Sequence, residues 1–139
     1  MAFETFQRQR ARPSDDPYVT IQRKGVISLN LSAFEALESP ETVELLYDRG
    51  ERLVGIRKVD PSVEHAYIVR GLGGRTTTTW LISGTAFTKF YGIDTEAAKR
   101  WKARIEEGPM LVVDLKEPGT EVVGNRGRKR LEGATSPVT

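Results

Sequence analysis

The chain of 139 residues contains two blocks in which apolar and polar positions alternate in a way that predicts strands around a short helix. In the first block, residues 18–22 and 26–29 alternate bulky and polar side chains, a pattern typical of strands. Residues 31–38 follow with apolar positions at helical spacing, and Pro40 stops that helix. The predicted buried stripe of the helix consists of Ala33, Phe34 and Leu37.

Capping and turn residues complete this first unit. Asn30 is a suitable N-cap for the helix, while Ser32 and Glu35 have the spacing of a capping box and offer a competing start. Residues 42–47 and 53–59 alternate again on either side of a short polar turn, which predicts a β-hairpin.

The second block repeats this order in a weaker form. A Gly-rich segment at residues 71–74 precedes a Thr-rich strand rather than a helix, so it is interpreted as a flexible hairpin turn and not as a phosphate-binding loop. Gly92 stands at the C′ position of the second helix. The predicted elements are strands at 65–70 and 76–82, a helix at 85–91, an additional helical turn at 94–99, and a hairpin of 101–105 and 110–115.

Alignment of Phe34 with Phe87 superimposes the two blocks and places Asn30 over Ser83, a second suitable N-cap. One β-α-β-β unit is too small to cover its apolar strand faces, so it needs a partner copy. We therefore predict an α+β, mainly β fold in which two tandem β-α-β-β repeats form one intertwined, pseudo-dimeric, barrel-like domain. The predicted boundaries are a disordered basic arm at 1–17, repeat 1 at 18–61, repeat 2 at 62–116 and a disordered basic tail at 117–139.

The basic charge is concentrated at the two ends of the chain. Residues 17–120 hold 14 basic and 14 acidic residues, so the net charge of +2 arises outside them. The absence of cysteine excludes disulfides, thiol nucleophiles and thiolate metal sites. The N-terminal residues contain no apolar signal-peptide segment and no apolar run reaches membrane-spanning length. We therefore expect a cytoplasmic protein that has no membrane partner.

The first unit resembles the repeat of the AbrB/MazE/MraZ-type swapped-hairpin (looped-hinge) DNA-binding proteins. That repeat contains a strand, a Gly-Arg-Ile-Thr-Ile-Pro segment, a short helix ending in Ala-Leu-Gly, and a hairpin around an acidic-Gly turn. Residues 25–30, 35–38 and 48–50 occupy those places here. The likeness covers residues 19–60 and extends more loosely over residues 68–116. It implies two interlocked copies and a role in transcription regulation through DNA binding.

The resemblance also implies which side chains contact DNA. Family members use basic residues of the first strand and its neighbouring loop, and those positions hold Arg23 and Lys24 in repeat 1. Arg70 and Arg75 hold them in repeat 2, whereas the family's arginine after the glycine is replaced by Val26. The functional interpretation is a pair of phosphate-contacting loops, and the alternative is a set of solvated strand ends.

The segment 124–130 resembles an AT-hook-style arm that could lie in a minor groove, although it lacks the proline that follows Gly-Arg in such hooks. The alternative is a solubilising tail. The predicted DNA-contacting residues of this segment are Arg126, Arg128, Lys129 and Arg130.

Other candidate chemistry is sparse. Trp80, Phe90, Tyr91 and Trp101 could form a stacking platform for single-stranded nucleic acid, but their apolar patterns favour the core. His65 has no companion at metal-ligand spacing, and no nucleophile, base and orienting group come together. We predict a non-enzymatic protein that binds double-stranded DNA. We expect it to have no catalytic residue, metal or cofactor. The alternative is a protein-interaction scaffold that has a neutral body and solubilising tails and binds another protein or a second copy of itself.

Overall fold

A computed structural model describes residues 16–122, and within this range the chain is mainly β, as predicted. Residues 1–15 of the predicted arm and 123–139 of the predicted tail lie outside the described residues. Short 3-10 turns occupy Arg23–Gly25 and Gly74–Thr76. The strands and α-helices are β1 Tyr18–Ile21, β2 Ile27–Asn30, α1 Leu31–Ala36, β3 Thr42–Asp48, β4 Leu53–Lys58, β5 Tyr67–Ile68, β6 Arg70–Leu72, β7 Thr79–Ile82, α2 Thr85–Phe90, β8 Lys99–Lys102, β9 Arg104–Glu106, β10 Met110–Asp114 and β11 Thr120–Glu121.

The strands form two open antiparallel sheets. One sheet has six strands in the order β11-β8-β1-β2-β7-β6, and the other has five in the order β5-β3-β4-β10-β9. The predicted barrel-like closure is not found, because the strands at the sheet edges do not pair with one another. Each edge strand is only two or three residues long, which leaves few backbone groups to close a ring.

Strand alternation directs one apolar face of each sheet into a common core. In the six-stranded sheet the odd-numbered residues of β1 and β2 are buried. In the five-stranded sheet the buried apolar row consists of Val54 and Ile56 of β4 and Leu111 and Val113 of β10. Helix α1 adds Ala33 and Leu37, and helix α2 adds Phe87. The fully buried large side chains are Val19, Ile21, Ile27, Leu29, Leu37, Val43, Val54, Ile56, Ile82, Leu111 and Val113.

The helix ends agree with the sequence in part. Asn30 is the N-cap of α1, as predicted, because its Oδ1 accepts a hydrogen bond from the Ala33 N–H at 2.9 Å. The predicted Ser83 cap of α2 is wrong, since Gly84 occupies the N-cap position and makes no side-chain cap bond. Gly92 takes the left-handed conformation at φ +66°, as expected for the C′ position.

Two predicted strands are each divided between the sheets. The strand predicted at 65–70 breaks at Val69, whose N–H donates to the Glu41 carbonyl at 2.9 Å. The strand predicted at 101–105 breaks at Ala103, whose N–H donates to the Pro17 carbonyl at 2.9 Å. Each break lets the chain pass from one sheet to the other. The helical turn predicted at 94–99 is not formed, and β8 begins there instead.

The predicted disordered tail begins too early. Strand β11 pairs with β8, and the Trp101 Nε1–H donates to the Glu117 carbonyl at 3.0 Å. Gly119 lies so close to the indole ring that an added Cβ would be 2.8 Å from it. These contacts hold the segment 117–122 in place. The segment covers Trp101, which is only 8% exposed. None of the helices in residues 16–122 is long and apolar enough to cross a membrane.

Candidate nucleic-acid interface

The β1–β2 loop, residues 22–26, presents two of the predicted cations to solvent. Arg23 and Lys24 are both exposed and lie in the 3-10 turn of this loop. Lys24 has a left-handed backbone conformation at φ +72°, which is unfavourable for a residue with a Cβ. Such a conformation persists only where the surroundings hold it, so the loop has a defined shape.

Helix α2 supplies the contacts that hold this loop. The Thr85 Oγ1–H donates to the Lys24 carbonyl at 2.7 Å. Gly25, at φ +96°, packs so tightly on the helix that an added Cβ would lie 2.8 Å from the Thr85 Cα. Thr88 closes the contact and is only 2% exposed. The loop and the helix thus form one unit, although 61 residues separate Lys24 from Thr85.

The helix that holds the loop carries a further cation, Lys89, which was not among the predicted contacts. Lys89 is exposed and lies four residues after Thr85, and residues at this spacing occupy one side of a helix. Lys89 is therefore on the side of α2 that faces the β1–β2 loop. Its spacing from Thr85 is visible in the sequence, but the docking of α2 on this loop is not.

The other predicted cations of the described region lie further along the six-stranded sheet. Arg70 is exposed on β6, directly opposite Leu81 of β7. Arg75 lies in the 3-10 turn of the β6–β7 loop, residues 73–78, where Gly73 takes a left-handed φ of +90°. Because β2 and β7 are antiparallel, the loops that precede them lie at opposite ends of this strand pair. The four-residue pair is about 10 Å long, so the β6–β7 loop does not adjoin the β1–β2 loop.

The tail residues Arg126, Arg128, Lys129 and Arg130 lie outside the described residues.

The aromatic residues divide between core and surface. Trp101 is buried, as predicted, and Trp80 is half-buried with its ring stacked on Phe34 at a centroid distance of 4.0 Å. The prediction that Phe90 fills the core is wrong, because this side chain is 72% exposed. Phe87 and Tyr91, four residues apart, take the inward side of α2 and leave Phe90 turned away from it.

His65 takes part in a hydrogen-bonded cluster with Glu44 of the five-stranded sheet. Its Nε2 is 2.7 Å from Glu44 Oε1, and the Arg57 Nε–H donates to Glu44 Oε2. The hydrogen bond from His65 holds the pKa of the largely buried Glu44 carboxyl below its ordinary value; Arg57 adds to this effect and burial opposes it. Within residues 16–122, no group of three or more His, Asp or Glu side chains is arranged to hold a metal ion.

A shallow apolar groove of about 270 Å³ lies on the outer side of the five-stranded sheet. Gly55, Tyr47, Asp48 and Glu106 are among its lining residues. Its apolar walls are Leu46, Leu53, Met110 and Val112.

Comparison of the chain with protein-family models, with curated proteins and with solved structures gives no match.

Proposed function

We propose that this protein is a non-enzymatic, DNA-binding, transcription-regulator-like protein built from two interlocked looped-hinge repeats. The strand order of the two sheets supports the proposal of two repeats. The neighbours β1-β2-β7-β6 in one sheet and β3-β4-β10-β9 in the other are the orders expected when each hairpin of one copy meets its counterpart in the other. Each copy would then contain one of the two short helices, directly after β2 or β7. A cytoplasmic location, expected from the sequence, is part of the same proposal.

The observation that carries the DNA-binding proposal is the rigidly held β1–β2 loop with its exposed cations. Arg23 and Lys24 project from a turn that α2 fixes, and Lys89 lies on the same side of α2 as Thr85. A fixed pair of cations loses less entropy on contact with phosphate than a flexible pair does. Phosphate contacts of this kind supply most of the sequence-independent affinity for duplex DNA.

The remaining predicted contacts extend this surface in two directions. Arg70 lies two strands away across the sheet, and Arg75 is in the loop at the opposite end of the β2–β7 pair. The basic segment 126–130 begins five residues after Glu121, the last residue of β11. We propose that this segment follows the duplex beyond the folded domain.

A salt titration with a labelled duplex tests the proposal. Fluorescence anisotropy of the full chain should give an affinity that falls steeply with salt, and Arg23→Gln/Lys24→Gln should lower the log–log slope by about 2 because two phosphate contacts are lost. The matched control is Lys58→Gln/Arg104→Gln, which removes the same charge from the five-stranded sheet. A chain ending at Val122 measures the share of the tail. Absence of binding to any duplex at about 50 mM salt would end the proposal.

The second candidate function is a protein-interaction module, and the apolar groove over Gly55 favours it. The folded body is nearly neutral, so the tails would then serve only solubility. Under this alternative, Met110→Asp at the groove would abolish self-association or partner binding, and both charge-removal variants would behave alike towards DNA. A variant-specific loss of duplex binding at Arg23 and Lys24 would contradict it.

A further inference from the structure

The outer side of the six-stranded sheet carries cations at both flanks and small side chains between them. Directly opposite residues of an antiparallel sheet point to the same side, so one row crosses five strands. The pairings Arg100↔Thr20, Thr20↔Ser28, Ser28↔Leu81 and Leu81↔Arg70 define that row. Buried neighbours such as Trp101 alternate with its members and face the core, so the row lies on the side of the sheet away from the core, with its exposed side chains at the two flanks. We call this row, with Lys102 beside Arg100, the outer row.

The chemistry of the outer row suits an anionic, elongated ligand. Arg100 and Lys102 on β8 and Arg70 on β6 are exposed. The centre holds two short hydroxyl side chains: Thr20, which is half-buried and can donate to phosphate, and Ser28, which is only 8% exposed and adds no bulk to the surface. Leu81 adds one half-buried apolar side chain.

The cations of the outer row are largely available to a ligand. Among the residues that the structure describes, Arg70 and Arg100 form no ion pair, while Lys102 Nζ is 3.5 Å from Asp16 Oδ2. The Arg100 guanidinium lies 4.9 Å from the centre of the Tyr18 ring, which holds it over the sheet without neutralising it.

The width of the outer row fits one groove of a double helix. Strands β8 and β6 are separated by four strand spacings, so Arg100 and Arg70 are about 19 Å apart. The major groove of B-DNA is about 12 Å wide and the minor groove about 6 Å. Side chains that lean inward from positions about 19 Å apart can contact the phosphates on both walls of a major groove, whereas the minor groove is too narrow for this.

We infer that the outer row straddles the major groove of duplex DNA, with Arg70 on the phosphates of one strand and Arg100 and Lys102 on those of the other. This inference rests on the proposed DNA-binding function and adds a surface to it. Of the three cations, only Arg70 is among the DNA-contacting residues that the family resemblance implies. Strand β8 pairs with β1, whereas the predicted repeat places residues 101–105 in a hairpin with 110–115, so the repeat alone does not imply these contacts.

The test compares Arg100→Gln/Lys102→Gln with Lys58→Gln/Arg104→Gln in the full chain, on a labelled 20-base-pair duplex and on one of its single strands. The outer-row variant should bind the duplex at least about tenfold more weakly at 100 mM salt and lower the salt slope by about 2. The control should change the affinity by less than about threefold. Circular dichroism and urea unfolding of both variants establish that each one is folded.

Phosphate-ethylation interference then distinguishes the two walls of the groove. Arg70→Gln should remove interference on one strand only, and Arg100→Gln/Lys102→Gln on the other strand only. Duplex binding that is retained by the outer-row variant as well as by the control, or a loss confined to the single strand, overturns the inference. In that outcome Arg23→Gln/Lys24→Gln still reports separately on the proposed function, and absence of duplex binding by the unmodified chain rejects both.

Discussion

Gly25→Ala is expected to be one of the more destabilising single-methyl additions in this protein, because Gly25 meets two independent restrictions. Its φ of +96° lies in a region that costs a residue with a Cβ about 1–2 kcal/mol. The new methyl group would also lie 2.8 Å from the Thr85 Cα, and helix backbone cannot turn aside as a flexible side chain can. Overpacking of this kind costs about 1–3 kcal/mol. Alanine also restricts the unfolded chain, which recovers about 0.4–1 kcal/mol, so the expected net loss is about 1–4.5 kcal/mol.

Gly92→Ala is the matched control for this prediction. Gly92 also has a positive φ, +66°, but a Cβ added there would meet no atom within 4 Å. This variant should therefore lose only about 1 kcal/mol from the backbone conformation. The difference between the two variants isolates the contact between the β1–β2 loop and α2.

Urea unfolding monitored by circular dichroism measures both variants. The midpoint of Gly25→Ala should fall clearly below that of Gly92→Ala, with similar m values, because the surface exposed on unfolding is the same. Thr85→Ala, which removes the hydrogen bond to the Lys24 carbonyl, should cost about 1 kcal/mol. If Gly25→Ala costs no more than Gly92→Ala, the close docking of the loop on α2 is refuted.

Three further predictions concern the remaining structural contacts. Asn30→Ala should lower the free energy of unfolding by about 1–2 kcal/mol, because the Asn30 side chain caps α1 and also accepts a hydrogen bond from the N–H at the start of β1. Ser32→Ala at the competing cap should lower it by less than about 0.5 kcal/mol. The urea midpoints of the two variants test this difference. The Glu44 carboxyl has a pKa below its ordinary value of 4.5 in the folded chain, so its ionised form contributes stability above that pH, and this contribution is lost as the pH falls through the folded-state value. The difference in unfolding free energy between the unmodified chain and Glu44→Gln should therefore shrink as the pH is lowered from about 5 to 3; a constant difference contradicts it. A chain ending at Lys116 should expose Trp101 and move the tryptophan emission to longer wavelength, and an unchanged spectrum would show that segment 117–122 does not cover the ring.

Elements that depend on local chemistry could be predicted from the sequence. Asn30 caps α1 because its side chain reaches an N–H three residues ahead, and that relation needs no knowledge of the rest of the fold. The same is true of Gly92, whose left-handed conformation at the C′ position ends α2. The mainly β character likewise follows from alternation along each strand.

Features that depend on distant partners could not be predicted. The strand break at Ala103 requires the carbonyl of Pro17, 86 positions earlier in the chain. No residue near Ala103 in the sequence indicates this break. Phe90 fits the apolar pattern of α2, yet Tyr91 takes the inward position beside Phe87. At the candidate interface, the family resemblance points to Arg23 and Lys24, whereas Lys89 becomes a candidate only once α2 is seen to dock on the β1–β2 loop.

The additional strands β8 and β11 bear on both the stability and the proposed function of the six-stranded sheet. Without them β1 would be an edge strand, and the buried side chains of Val19 and Ile21 would lie beside unpaired backbone groups. The strand that covers this edge also carries Arg100 and Lys102, while the opposite flank has only the three-residue β6 with Arg70. The outer row is therefore unequal at its two ends even if the repeats themselves are equivalent. A duplex held across this row would receive two cations on one strand and one on the other, so a DNA site selected by this surface need not be palindromic.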